Sequence, residues 1–185
     1  MDIFGNDVDD EGNSLDTHGR EIDISKYFIS NNELKQDKQR DAEYVRMLNK
    51  KIVERYYQGN TVLSSHLVAF AAFELLKKQH SRLDIYGILR LNHNELLIPF
   101  EQFVTSVKNL KQELLKIEAQ GKVKLSPAIN MDAEALIIDG IRNVGVYHPK
   151  KVLIKTKSGD ITTKDIKLLY YYHNRLDGYE LATHI

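Results

Sequence analysis

Seven histidines are the side chains of this sequence best suited to acid–base chemistry or metal binding near neutral pH. They are scattered, with no H-E-x-x-H pair and no closely spaced set of metal ligands. Ser64, Ser65 and His66 could suggest a nucleophile and a base, but adjacent residues on a helix do not face one another. We therefore expect His66 to be a buried structural histidine, hydrogen-bonded to a carbonyl or hydroxyl group. The full set is His18, His66, His80, His93, His148, His173 and His184.

Residues 7–12 begin like a calcium-binding loop. Carboxylates alternate at Asp7, Asp9 and Glu11, and a glycine occupies the sixth position. The twelfth position should supply a bidentate glutamate, but it is His18. We interpret this stretch as an acidic turn, with a weak cation site as the alternative. The chain has no cysteine, which excludes thiolate metal sites and disulfides. The sequence thus predicts no catalytic residue, no metal site and no cofactor.

Lysines are concentrated near the C-terminus, where six of them accompany two aspartates between residues 150 and 167. Such a cluster could contact phosphates or anionic lipid headgroups. The residues expected to make this contact are Lys150, Lys151, Lys155 and Lys157. The alternative is a solvated hairpin edge, on which lysines oppose strand pairing between molecules.

Charge is distributed unevenly along the 185 residues, although the formal net charge is zero. Residues 1–23 contain eight acids and one base, and this acidic start is unlike a secretory signal. The most apolar stretch, residues 61–76, is shorter than the roughly 20 residues needed to span a bilayer. These features predict a cytoplasmic protein. The sequence also lacks the glycine-rich loops that bind nucleotide phosphates.

Apolar periodicity predicts a mainly α fold: a helical bundle with one or two small β-hairpins. Residues 1–37 form an acidic, turn-rich leader that we expect to lie between domains, and residues 38–185 form a helical C-terminal domain. We expect no internal repeat. Helices are predicted at about 38–58, 61–78, 84–91, 99–120, 132–144 and 164–177, and strands at 122–125, 151–156 and 160–163.

Several stretches resemble, in the same order, the segment that follows the acyltransferase domain in bacterial glycerol-3-phosphate acyltransferases, the glycerol-3-phosphate/dihydroxyacetone-phosphate acyltransferase family. The ending is similar to the family's terminal aromatic-Asn-Arg signature, and the resemblance spans nearly the whole chain. The stretches are FGN-x-VD at 4–9, EGNS-x-D at 11–16, GR-x-ID at 19–23, RD-x-EY at 40–44, TVLSSHLVAF at 61–70 and LLYYYHNRL at 168–176.

The resemblance implies acyl transfer from an acyl thioester to the 1-hydroxyl of glycerol 3-phosphate, the first committed step of phospholipid synthesis. In the family's H-x-x-x-x-D motif, the aspartate orients a histidine that acts as a general base. His80 and Asp84 are separated by only three residues, and we interpret the chain as lacking this motif and the family's phosphate-holding blocks. The resemblance therefore implies an inactive C-terminal domain that partners a catalytic acyltransferase domain, with peripheral contact to an anionic membrane.

Two other interpretations remain at this stage. A short helix at 84–91, a long helix at 99–120 and a strand at 122–125 could form a winged-helix domain that binds nucleic acid. Acids at Glu101, Glu113 and Glu118 on the long helix, and the lack of a strongly basic footprint, argue against this and favour no nucleic-acid partner. The second alternative is a freestanding adaptor domain.

Overall fold

The computed structural model describes residues 2, 5–24, 28–30, 33–34 and 37–185. The chain divides into two compact units, Met1–Tyr56 and Tyr57–Ile185, a later boundary than the one expected after residue 37. Across the described residues the fold is mainly α with small two-stranded pairs, which confirms the predicted class.

The first unit opens with a hairpin in which β1 (Asp7–Val8) pairs antiparallel with β2 (Ser14–Leu15). A second antiparallel pair joins β3 (Ile29–Ser30) and β4 (Glu33–Leu34). Phe4, which belongs to the family resemblance, lies outside the described residues.

A seven-residue turn repeat builds the hairpin segment, so the expectation of no internal repeat is wrong. In each copy an aspartate carboxylate accepts a hydrogen bond from the backbone N–H four residues later, at 2.9, 2.7 and 2.9 Å. The side chain of that later residue donates to the other carboxylate oxygen, at 2.9, 3.0 and 2.9 Å. An intervening glycine adopts positive φ, which glycine tolerates without steric cost. The copies use Asp2, Gly5 and Asn6; Asp9, Gly12 and Asn13; and Asp16, Gly19 and Arg20.

Helix α1 runs over Lys38–Gly59, close to the predicted 38–58. Asp37 precedes it, and its carboxylate accepts hydrogen bonds from the backbone N–H groups of Gln39 and Arg40. No residue of α1 is buried. Apolar side chains recur every three or four residues along α1, but this stripe is a surface feature, exposed by 41% to 76% at Val45, Leu48, Ile52 and Tyr56.

Helix α2 (Ser64–Gln79) is the centre of the second unit. Every residue from Leu67 to Leu76 is buried, as the absence of formal charge from Thr61 to Phe73 predicts. Three helices pack against α2: α4 (Phe100–Ala119), α5 (Ala133–Asn143) and α6 (Ile166–His173). The short helix α3 (Ile85–Ile88) lies between α2 and α4 in the chain.

Helices α2 and α5 approach closely at Gly140. A Cβ there would overlap the Val68 side chain and crowd the Ser64 carbonyl oxygen. The absence of a side chain at Gly140 therefore sets how near the two backbones come.

The predicted start of α2 at residue 60 or 61 is wrong, because Thr61–Val62 form a strand, β5. It pairs in parallel with β6 (Lys124–Leu125). The short helix predicted at 84–91 is also wrong in length, because α3 is a single turn over Ile85–Ile88.

A hairpin of β7 (Leu153–Lys155) and β8 (Ile161–Thr163) forms where lysine-rich strands were predicted. Ile98 extends it, since the backbones of Ile98 and Ile161 exchange two hydrogen bonds of 2.8 and 2.9 Å. Short 3-10 turns at His93–Glu95, Pro127–Asn130, Asp177–Tyr179 and Leu181–His184 complete the described elements.

Candidate functional site

A groove of about 890 Å³ lies between α5 and the β7–β8 hairpin. Its apolar lining includes Phe100, Ile137, Ile141 and Leu153. Four basic side chains and one acid also line it; they are Arg142, Lys151, Lys155, Lys164 and Glu134. We call this the basic groove. It combines an apolar floor with a cationic margin, which suits a partner that is both apolar and anionic.

Two of the four predicted lysines, Lys151 and Lys155, line the basic groove. Lys150 and Lys157 are exposed on the same segment but do not line it. The Lys155 ammonium nitrogen lies 3.6 Å from the centroid of the Phe100 ring, which places a cation over an aromatic face. Lys164 belongs to the six-lysine cluster of the sequence, but sequence reasoning missed Arg142, because its proximity to the lysines depends on how α5 packs against the hairpin.

The turn at residues 145–148 forms one margin of the groove. The His148 backbone N–H donates to the Gly145 carbonyl at 2.9 Å. Gly145 is buried with a φ of +68°, and a Cβ there would overlap Val152. The His148 ring meets Tyr172 edge-on, with 6.1 Å between ring centroids. The turn is thus anchored at both ends.

Apolar side chains project from this region into solvent. Tyr147, at the centre of the turn, is 96% exposed, and its neighbour Val146 is 63% exposed. Ile138, which lines the groove from α5, is 60% exposed. Exposed apolar groups clustered beside bases mark a contact surface more often than scattered ones do.

A second polar cluster is buried between α2 and α6. His173 Nε2 lies 2.7 Å from Glu74 Oε1, and Lys77 Nζ donates to the same oxygen at 2.6 Å. Burial alone would raise the pKa of Glu74, but the hydrogen bonds and charges of His173 and Lys77 outweigh it and lower that pKa. The cluster therefore contains an ionised carboxylate whose neighbours already satisfy it.

Aromatic rings enclose His173. Its imidazole stacks on Phe70 at an interplanar angle of 3°, with 4.7 Å between centroids. Phe73 and Tyr170 complete the enclosure, at 4.7 and 5.8 Å. With 2% of its surface exposed, His173 has little access to a substrate and serves to hold α6 against α2.

His66 is half-buried, and its hydrogen bond differs from the expected one. Nδ1 accepts from the Leu63 backbone N–H at 3.3 Å, at the start of α2, instead of bonding a carbonyl or hydroxyl. Desolvation, with a smaller contribution from the charge of Arg175, lowers the pKa of His66 to about 4. His66 is the third residue of α2, so its neutral imidazole accepts the N–H of the residue before the helix, as the third-position side chain of a capping box does.

Ser64 and His66 do not form a nucleophile–base pair. Ser64 Oγ donates to Asp139 Oδ2 at 2.5 Å, and Asn143 donates to the other Asp139 oxygen at 3.0 Å. The first bond connects α2 to α5, and the second lies within α5, so these residues are structural.

In the predicted acidic turn, hydrogen bonds within the turn already use the acceptor oxygens of a carboxylate. The Asp9 carboxylate accepts from the backbone and side chain of Asn13, and the backbone bond is the main cause of its lowered pKa. Within the described ranges, no group of three or more histidine, aspartate or glutamate side chains is arranged to hold a metal ion.

The spacing of the acyltransferase motif does occur once, at His18 and Asp23, so the interpretation that the chain lacks this spacing is wrong. Both residues are exposed. The His18 backbone N–H donates to Asp16 Oδ1 at 2.8 Å within the third turn repeat. An exposed pair in a turn lacks the enclosed setting that strengthens a general base and its orienting carboxylate.

Comparisons of the chain with protein-family models, curated proteins and solved structures returned no match. Among helices of the described residues, none combines the length and the apolar character needed to cross a bilayer.

Proposed function

We propose that this chain is the non-catalytic C-terminal domain of a glycerol-3-phosphate 1-O-acyltransferase and supports that enzyme's catalytic domain. The observation that carries this proposal is the packing of two stretches that resemble the family. Residues 61–70 include β5 and the start of α2, residues 168–176 include most of α6, and the two helices pack together. Although about a hundred residues separate them in the chain, Phe70 of the first stretch stacks on His173 of the second.

The terminal signature separates into structural and accessible residues. His173 and Leu176 are buried, whereas Asn174 and Arg175 between them are exposed. The buried members fix α6 on the core, and this places the exposed pair at a defined position on the surface. We infer that Asn174 and Arg175 contact the catalytic domain.

In this proposal the chemistry belongs to the partner. A histidine of its H-x-x-x-x-D motif would accept the proton of the 1-hydroxyl group as that oxygen attacks the acyl thioester. The carbon–sulfur bond would then break, and the sulfur would leave as a thiol with that proton. In this chain, His173, Glu74 and Ser64 are engaged in hydrogen bonds between helices. This favours a structural role for the chain over a catalytic one.

Co-purification with the acyltransferase domain of the same organism tests the proposal. Arg175→Ala should weaken the complex, because Arg175 presents a fixed charge beside the buried His173. Arg82→Ala removes an exposed charge elsewhere and is the matched control. Absence of any complex between the unmodified chain and the catalytic domain would refute the proposed support role.

A further inference from the structure

We propose that the basic groove, together with the 145–148 turn, binds the surface of a bilayer that contains anionic phospholipid. The inference uses only the second unit's exposed side chains and does not depend on the acyltransferase assignment. It therefore stands or falls separately from the proposed function.

The apolar part of this surface is at the tip of an anchored turn. Tyr147 and Val146 project into solvent, while Gly145 and His148 hold the turn against Val152 and Tyr172. A tyrosine with an exposed ring and hydroxyl suits the membrane interface, where one end of a side chain is apolar and the other is wet. The anchored turn can therefore insert its tip without unfolding.

The polar part is cationic. Arg142, Lys151, Lys155 and Lys164 line the groove, and Lys150 and Lys157 extend the charge along the same segment. Glu134 is the one acid among the lining residues.

Nearby acids are engaged locally. Asp160 accepts a hydrogen bond from Ser158 at 2.9 Å, and Asp165 caps α6 by accepting from the Leu168 N–H at 3.0 Å. Even when these two carboxylates are counted with Glu134, three acids oppose six bases, so the surface keeps a positive balance.

A bilayer fits this surface better than a protein does. Protein interfaces are depleted in lysine. Mobile lysines suit lipid headgroups, because each lysine near an anionic membrane adds to the electrostatic binding energy. A buried pocket for a small anion would need enclosed polar groups, but every base on this surface is exposed. Stable membrane contact generally takes two signals, and a basic patch beside an apolar tip supplies both.

Sedimentation with vesicles tests this inference. The chain should bind vesicles of phosphatidylcholine mixed with phosphatidylglycerol more tightly than phosphatidylcholine alone, and less tightly as sodium chloride increases. The double substitution Lys150→Glu/Lys151→Glu should weaken binding about tenfold or more, given the contribution of each base near an anionic surface. Tyr147→Ser should also weaken binding, because it removes the apolar tip.

Matched controls lie elsewhere on the second unit. Lys108→Glu/Lys122→Glu repeats the charge change, and Tyr86→Ser repeats the loss of an exposed ring. These controls should bind like the unmodified chain, and thermal melts should show all four variants folded. The inference is overturned if the unmodified chain ignores anionic vesicles or if the controls lose binding equally. It is also overturned if inorganic phosphate displaces the chain better than chloride at equal ionic strength, since that indicates a soluble-anion site.

Discussion

The imidazole of His173 and the carboxylate of Glu74 are joined by a 2.7 Å contact between residues 99 positions apart, with 2% and 6% of their surfaces exposed. Because an ionised carboxylate can only accept, Nε2 carries the hydrogen. Lys77 shares the same oxygen from one turn further along α2. This contact connects α2 and α6, the two helices that carry the stretches on which the functional proposal rests.

Glu74→Leu should lower the free energy of unfolding by about 3 kcal/mol, because it leaves the polar side chain of His173 buried without its acceptor. Urea denaturation monitored by circular dichroism measures the change. Glu101→Leu, on the exposed face of α4, is the control and should change stability by less than about 0.5 kcal/mol. Equal stability of Glu74→Leu and the unmodified chain would show that the contact contributes nothing to the fold.

The lowered pKa of His66, about 4 in the folded chain against 6.5 for the free side chain, predicts a specific pH dependence. Above pH 6.5 both folded and unfolded chains keep the imidazole neutral, so stability is complete. As pH falls from 6.5 towards 4, the unfolded chain takes up the proton first and stability decreases.

His66→Gln should remove this part of the pH dependence, measured as unfolding free energy at several pH values. His18→Gln is the control, since His18 is exposed in a turn. An NMR titration in which His66 protonates near pH 6.5 would contradict the prediction. At neutral pH, His66→Ala should cost about 1 kcal/mol through the lost cap at Leu63.

Substitution by valine should have different effects on stability at the two adjacent threonines of β8, Thr162 and Thr163. Thr163 Oγ1 donates to the Val152 carbonyl at 2.6 Å, so Thr163→Val should destabilise the chain by about 1–3 kcal/mol. In the part of the chain that the structure describes, Thr162 Oγ1 is buried without a hydrogen-bond partner. Thr162→Val should therefore be neutral or stabilising, as measured by thermal unfolding. A loss of stability at Thr162 equal to that at Thr163 would indicate a partner for its hydroxyl.

Local pattern was enough to predict most helices of the second unit. The uncharged run in α2 indicated a buried centre, and Pro99 with the apolar stripe of α4 indicated where that helix begins and which face it buries. The same reasoning could not tell whether the apolar stripe of a helix is buried at all. The stripe of α1 has equal periodicity, yet its residues are exposed.

Features that depend on distant residues escaped sequence reasoning. Pairing of Thr61–Val62 with Lys124–Leu125 leaves no local trace, so β5 was taken into the helix. The turn repeat was missed because its three copies share only Asp and Gly at fixed positions, with an aliphatic seventh residue. In the basic groove, the lysines were visible in the sequence, but Arg142 is brought to them by tertiary packing.

The most direct test of the account measures acyl transfer to radiolabelled glycerol 3-phosphate from an acyl thioester. Three samples are compared: the purified chain, the acyltransferase domain of the same organism, and the two together. We expect no transfer by the chain alone, and greater activity or stability of the catalytic domain when the chain is added. Transfer by the chain alone that is abolished by His18→Ala would contradict the account, as would a catalytic domain on which the chain has no effect.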